Sequence, residues 1–325
     1  MVKLELKSLR LLLVVLILLT LLAASPVSAA DKGLKVQGAI LTRDVSPGQT
    51  LTHKMTVSIA IDDPATEITV RIGDFGQSLS GAYELLETAG NSDLSARQFI
   101  TLDKESFHLE PGGSEVVTAT IQVPLDVGSG SRYALINIKT EAAGNGGVGT
   151  SSAVTVPVAL TVKDTPLLRQ GEITALTIEV IGEQILNIAT IFHNTGNHHF
   201  RIKGEITISR FRGKTLDTIS LPPTSGSIIP DMSLRLQTKY TPEEVLAKGI
   251  YIVKSRIMLE DDTVLDEKRA AFEVTETGIV ILPEVPDEGT PINWFMLGGI
   301  IGGVVAIGLL TFFLLRRRRR YLVRE

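Results

Sequence analysis

Apolar and polar positions alternate with a period of two along most of this chain. Met55, Val57, Ile59 and Ile61 alternate with polar or small residues. So do Ile68, Val70 and Ile72, then Val117, Ala119, Ile121 and Val123, then Val154, Val156, Val158, Leu160 and Val162. Successive side chains on a strand point to opposite faces, so this period predicts strands with one buried face. Turn-forming clusters separate the runs: Ser46-Pro47-Gly48, Asp62-Asp63-Pro64, Pro111-Gly112-Gly113, Gly128-Ser129-Gly130 and the glycine-rich stretch 144–149. Short strands so divided predict a β-sandwich. Pro157 lies inside the last run and has no N–H for a ladder, so that strand is expected at an edge or with a bulge. Residues 76–98 fit the alternation poorly and are expected to form a long insertion with a helical turn.

Asp164-Thr165-Pro166 marks a domain boundary. Strands resume over 173–180, 185–193, 199–209, 233–240, 251–259 and 268–274, with Asp261-Asp262 as a hairpin turn and 241–246 as one turn of helix. The expected division is a first sandwich over 31–164 and a second over 165–276. Residues 277–292 include a proline- and acid-rich run from Pro283 to Pro291 and are expected to form an extended stalk.

The two ends differ from the middle. Lys3, Lys7 and Arg10 precede an apolar run at 11–22. Val27 and Ala29 are small residues suited to a cut after Ala29, and a cut after Ala30 fits nearly as well. This is the layout of a secretory signal peptide over 1–30. Residues 294–315 hold no charge. As a helix they reach about 33 Å, enough for a hydrocarbon core of about 30 Å, so 293–315 is expected to be transmembrane. Arg316, Arg317, Arg318, Arg319 and Arg320 follow at once and place the tail 316–325 in the cytoplasm and the N-terminus outside. Gly298, Gly299, Gly302 and Gly303 form two overlapping G-x-x-x-G pairs, a small-residue face on which two such helices could pack as a homodimer. Leu282-Pro283-Glu284 resembles the start of a sortase sorting signal. Val285-Pro286 stand where the cleaved Thr-Gly would be, so retention in the membrane is expected rather than transfer to the wall.

Composition narrows the setting. The chain has 325 residues and no cysteine, which excludes a disulfide framework, a thiol nucleophile and a thiolate metal site. An exported chain without disulfides fits a bacterial or archaeal surface better than an animal one. No Asn-x-Ser/Thr acceptor is present. The formal charge is −4, but basic residues concentrate at the two ends, so the stretch between is markedly acidic. A nucleic-acid partner, which needs a basic footprint, is not expected.

One stretch of the first domain runs Pro111-Gly112-Gly113-Ser114, then Val116 to Pro124, then Gly130 and Tyr133-Ala134. This resembles the first domain of WxL-interacting proteins, bacterial cell-surface proteins with two immunoglobulin-like domains and a C-terminal membrane anchor. Phe192-His193-Asn194-Thr195-Gly196-Asn197 is similar to the Asn-x-Gly-Asn turn of that family and of other bacterial adhesion modules. The resemblance implies peptidoglycan contact by the first domain and protein-partner binding by the second. The fold class expected is therefore all-β: two tandem immunoglobulin-like β-sandwich domains plus a C-terminal transmembrane helix.

Signals for chemistry are sparse. His193, His198 and His199 cluster in sequence and could ligate zinc across a hairpin. Adjacent His198 and His199 would, however, point to opposite faces of a strand. No Gly-x-Ser-x-Gly elbow occurs, and the glycine run at 144–149 lacks the lysine of a phosphate loop. Acid pairs such as Asp62-Asp63 and Asp261-Asp262 lack calcium-loop spacing. A wall-active hydrolase would need two acids converging in a cleft. An aromatic content of 5% argues against a sugar-stacking cleft. The reading that results is a non-enzymatic adhesion or scaffold protein with no cofactor, bound to peptidoglycan or surface proteins. The alternative is an accessory subunit of a membrane transporter or signalling complex, associating through the glycine-rich helix. Gly302→Ile is expected to weaken self-association of the 293–315 span in a membrane reporter assay.

Overall fold

The computed structural model describes residues 33–86, 93–141 and 151–286. The signal peptide with Ala29 and Ala30, the span with Gly298, Gly299, Gly302 and Gly303, and the arginines 316–320 lie outside the described residues. The chain divides into two compact units. One holds residues up to Phe75, 85–128 and 132–163; the other holds 76–84, 129–131 and the chain from Asp164 onward.

The first unit is built on strands β1 (Lys35–Gln37), β2 (Leu41–Val45), β3 (Thr50–Ser58), β4 (Thr66–Gln77), β5 (Tyr83–Leu86), β6 (Ile100–Leu102), β7 (Ser106–Leu109), β8 (Ser114–Gln122), β9 (Ser131–Thr140) and β10 (Ala153–Val162). One sheet runs β1-β3-β8-β6 and the other β2-β10-β9-β4-β5, with β7 also paired to β4. This is the strand order of an immunoglobulin sandwich whose first strand is shared between the two sheets. Met55, Val57, Val117, Ala119 and Ile121 from one sheet meet Ile68, Val70, Ile136, Ile138, Val158 and Leu160 from the other in a single core. The alternation seen in the sequence is the alternation between this core and the outer faces. Ile61 departs from it and is 78% exposed. β3 ends at Ser58, and the Asp63 carboxylate accepts the N–H of Ala60 at 3.0 Å and of Gly33 at 2.8 Å, which turns the chain away first.

Pro157 corrects an expectation in part. β10 is not an edge strand, for β2 lies beside it in parallel and β9 on the other side. The β2 register begins at Val158, however, so the ladder on that side starts one residue after the proline. The insertion at 76–98 contains β5, and the helical turn is a short 3-10 segment at Arg97–Phe99.

The second unit holds β11 (Gly171–Gly182), β12 (Ile185–Asn194), β13 (Ile202–Arg210), β14 (Thr215–Leu221), β15 (Ser233–Tyr240), β16 (Gly249–Leu259), β17 (Val264–Val274) and β18 (Ile279–Leu282). Sheet β11-β12-β15 faces sheet β14-β13-β16-β17-β18. Phe192, Ile206, Val253 and Phe272 are fully or almost fully buried between them. In chain order the sheets read A-B-E and C′-C-F-G, again an immunoglobulin arrangement, with β18 added at the edge. Asp262 takes a positive φ of 70° in the β16–β17 hairpin, a conformation Asp tolerates better than most residues. Two expectations are corrected here. Residues 241–246 form no helix, because Gln184 holds the backbone of Leu246 in place, accepting its N–H at 2.7 Å. Residues 279–282 are not stalk but β18, paired with β17 from Ala271↔Leu282 to Val274↔Ile279.

In antibody domains the second and sixth strands, B and F, are joined by a disulfide. Here the corresponding strands are β12 and β16, and a buried hydrogen bond joins them: Thr190 Oγ1 and Ser255 Oγ lie 2.8 Å apart, both 0% exposed. Ser255→Ala would leave the Thr190 hydroxyl without its partner and is expected to cost about 1–3 kcal/mol. Adding Thr190→Val removes that hydroxyl as well, so the double variant is expected to recover part of the loss. Urea midpoints of the parent, both single variants and the double variant check this.

Candidate functional site

The outermost strands of a sheet carry backbone donors and acceptors that no neighbour satisfies, and proteins guard them with charge, shortness or covering groups. Most outer strands here are guarded. β1 carries Lys35, β2 carries Arg43 and Asp44, β5 carries Glu84, β14 carries Asp217, and β15 carries Arg235 and Lys239. β6 is three residues long and is followed by Asp103, whose carboxylate accepts the Thr118 N–H at 2.8 Å. β11 is covered chemically. Asp266 accepts the Ile173 N–H at 2.6 Å, and Lys268 Nζ donates to the carbonyls of Ile173 and Thr174 at 3.0 Å each.

β18 is short, at four residues, but carries no charge and no covering polar group. Its sequence is Ile279-Val280-Ile281-Leu282, with no charged or polar side chain, and β17 is its one partner among the described strands. Local chemistry builds it. Gly278 adopts a φ of +134°, and its carbonyl accepts the Thr275 N–H at 2.8 Å, closing the turn after β17. Pro283 ends the strand by withdrawing a donor. Ile279 packs on the sandwich core. Leu282 and Val285 lie on the outer face of the sheet, with Phe211, Ile250, Ile252 and Ala271. Val280 and Ile281 are each 39% exposed. On the same outer face Glu273 has one carboxylate oxygen buried with no hydrogen-bond partner among the described residues.

The sequence-selected turn at 192–197 proves to be a structural staple. Asn194 is fully buried. Its amide donates to the carbonyls of His198 at 3.1 Å and Ile228 at 2.9 Å, while its side-chain oxygen accepts the Gly196 N–H at 2.9 Å. Asn197 accepts the Leu168 N–H at 2.7 Å. His193 faces Ser233 and Asp231, and His198 bonds Ser131 at 2.8 Å. His198 and His199 do not point to opposite faces. They sit in a bend before β13, with ring centres 4.4 Å apart. Ser131 is fully buried, so the Ser131–His198 pair ties the loop rather than presenting a nucleophile. No group of three or more His, Asp or Glu placed to hold a metal occurs among the described residues.

Sequence reasoning missed β18 because the proline- and acid-rich residues after it set the reading of the whole segment. The signal that could have found it is a four-residue aliphatic run bounded by Gly278 and Pro283.

No protein-family model and no curated protein matches the sequence. Among solved structures, the chain is similar to the class 5 fimbriae chaperone CfaA, at 10% identity and a TM-score of 0.35, over 78% of this chain and 100% of that one. It is also similar to the Escherichia coli chaperone DraB, at 11% identity and a TM-score of 0.33, over 74% and 98%. A third is a Salmonella enterica complex of the SafA pilin with the SafB chaperone, at 9% identity and a TM-score of 0.33, over 73% and 95%.

Two histidines are pushed in opposite directions. A hydrogen bond to Glu67 raises the His108 imidazole above the usual histidine range, with Glu110 adding to it. Burial, with the nearby Arg169 charge, lowers that of His199. The unfolded chain titrates at about 6.5. The His108 pair therefore adds stability that is full below that pH and fades as pH rises through its raised midpoint. His199 costs stability as pH falls below about 6.5, where the unfolded chain takes the proton first. An NMR titration is expected to place His108 above His199, with Glu67→Gln returning His108 toward the ordinary value.

Proposed function

We propose that this chain is a non-enzymatic binding and scaffolding protein of a bacterial surface, exported by residues 1–30 and retained by a single span at 293–315, with its sandwich domains outside. The observation that carries the reading is the open edge of β18. In a fold that places charge on β1, β2, β5, β14 and β15, one short aliphatic edge is left able to accept a strand from a protein partner. Strand addition needs no cleft and no catalytic group, for main-chain hydrogen bonds supply affinity and alternate side chains supply specificity. The resemblance to WxL-interacting proteins adds peptidoglycan contact by the first domain, and the acidic stretch between the two ends suits a protein partner better than a nucleic acid.

The test uses the detergent-solubilised full chain, presented to isolated cell wall and separately to a surface-protein extract. Expected are retention on wall that is lost when 31–163 is deleted, and capture of a protein that is lost with Ile281→Lys. Capture of neither would overturn the reading.

A further inference from the structure

The partner that best fits the β18 edge is another β18. We propose that two copies of this chain pair through β18 in antiparallel register, joining their five-stranded sheets into one continuous sheet across a two-fold axis. This rests on the membrane-anchored reading above and names the occupant of the same edge.

Three observations lead to it. The first is self-complementarity. A two-fold axis sets β18 against its own sequence, so a charge at or next to the axis would stand close to its own copy. Ile279-Val280-Ile281-Leu282 carries none, whereas β1, β2, β5, β14 and β15 each do. The second is geometry. Antiparallel pairing that continues a sheet places the axis perpendicular to the sheet, with Val280 or Ile281 beside it. That axis preserves faces, so both chains leave on the same side of the joint sheet. Leu282 and Val285 pack on the outer face, which is therefore the side from which both chains depart. Two copies in one membrane with the same topology are related by an axis along the membrane normal, and a sheet with its outer face toward the bilayer meets that condition.

The third observation is the length of chain that follows. From Val285 to Trp294 there are nine residues, an extended reach of about 30 Å. The span begins there, and within it stand the paired glycines Gly298, Gly299, Gly302 and Gly303. A four-residue strand pair is too short to hold two free molecules together. Where packing through the glycine face joins two spans, the short tethers hold the two β18 strands at an effective concentration of about the millimolar range, where a weak contact is populated. The same confinement makes strand pairing and helix packing support each other.

The absence of native cysteine gives a clean test. Ile281→Cys and Val280→Cys are made separately in the full chain and reconstituted into lipid vesicles. Residues opposite one another across an antiparallel pair have Cβ atoms about 4.5–5.5 Å apart, close enough for a disulfide to form on mild oxidation. Thr218→Cys, exposed on the other outer strand β14, is the control. The expected result is a disulfide-linked dimer at position 280 or 281, at least tenfold above the Thr218→Cys yield. The variants are required to melt like the parent chain. No dimer at either position, or equal yields at all three, overturns the pairing. Alkaline extraction of the same vesicles separates the two readings. A chain that is extracted sinks the anchored reading and the pairing with it. A chain that stays while forming no dimer at 280 or 281 sinks the pairing alone and leaves β18 open to a different protein.

Discussion

Each domain stands because two sheets bury their inward faces against one another with no covalent bond between them. Everything else follows from keeping every strand in phase with that single constraint. A one-residue slip would turn the whole apolar set of a strand to solvent. The sandwich cores are aliphatic, and the aromatic contribution is concentrated in the second domain, where Tyr251 stacks on Phe272 with ring centres 5.2 Å apart. Where an antibody domain places a sulfur bridge between its sheets, this one places two hydroxyls. That arrangement makes the fold indifferent to the surrounding redox state, at the cost of a cross-link that one hydroxyl-removing substitution breaks.

The treatment of edges is the second organising theme. Charges on β1, β2, β5, β14 and β15 are not scattered surface decoration; they stand where an unguarded ladder would recruit another chain. On β11 the guarding goes further, for Asp266 and Lys268 satisfy the backbone of Ile173 and Thr174 directly. Against this background an aliphatic outermost strand is a departure, and departures of this kind concentrate where a protein meets a partner.

Much of the strand layout was legible because the alternation is strong. The runs around Met55, Ile68, Val117 and Val156 lie on the buried faces, and β15 falls at the residues that its pattern marks. What escaped had a physical reason in each case. β14 carries Asp217 among the residues facing inward, which weakens its alternation. The segment at 241–246 has a helical composition, but Gln184, sixty residues away, takes its backbone. β18 is short and lies against a proline-rich neighbour. The turn at 192–197 was visible as a motif, yet its role as a staple depends on carbonyls of His198 and Ile228 that no spacing rule reaches. The candidate edge was therefore the least legible element, because an edge is a property of the assembled sheet.

The direction in which β18 is laid has a mechanical consequence. The chain reverses at 275–278 and runs back along β17, so it leaves the domain from beside the sheet rather than from the end of β17. A load on the chain beyond Val285 would therefore meet the four-residue β17–β18 ladder before the longer ladders of β13, β16 and β17.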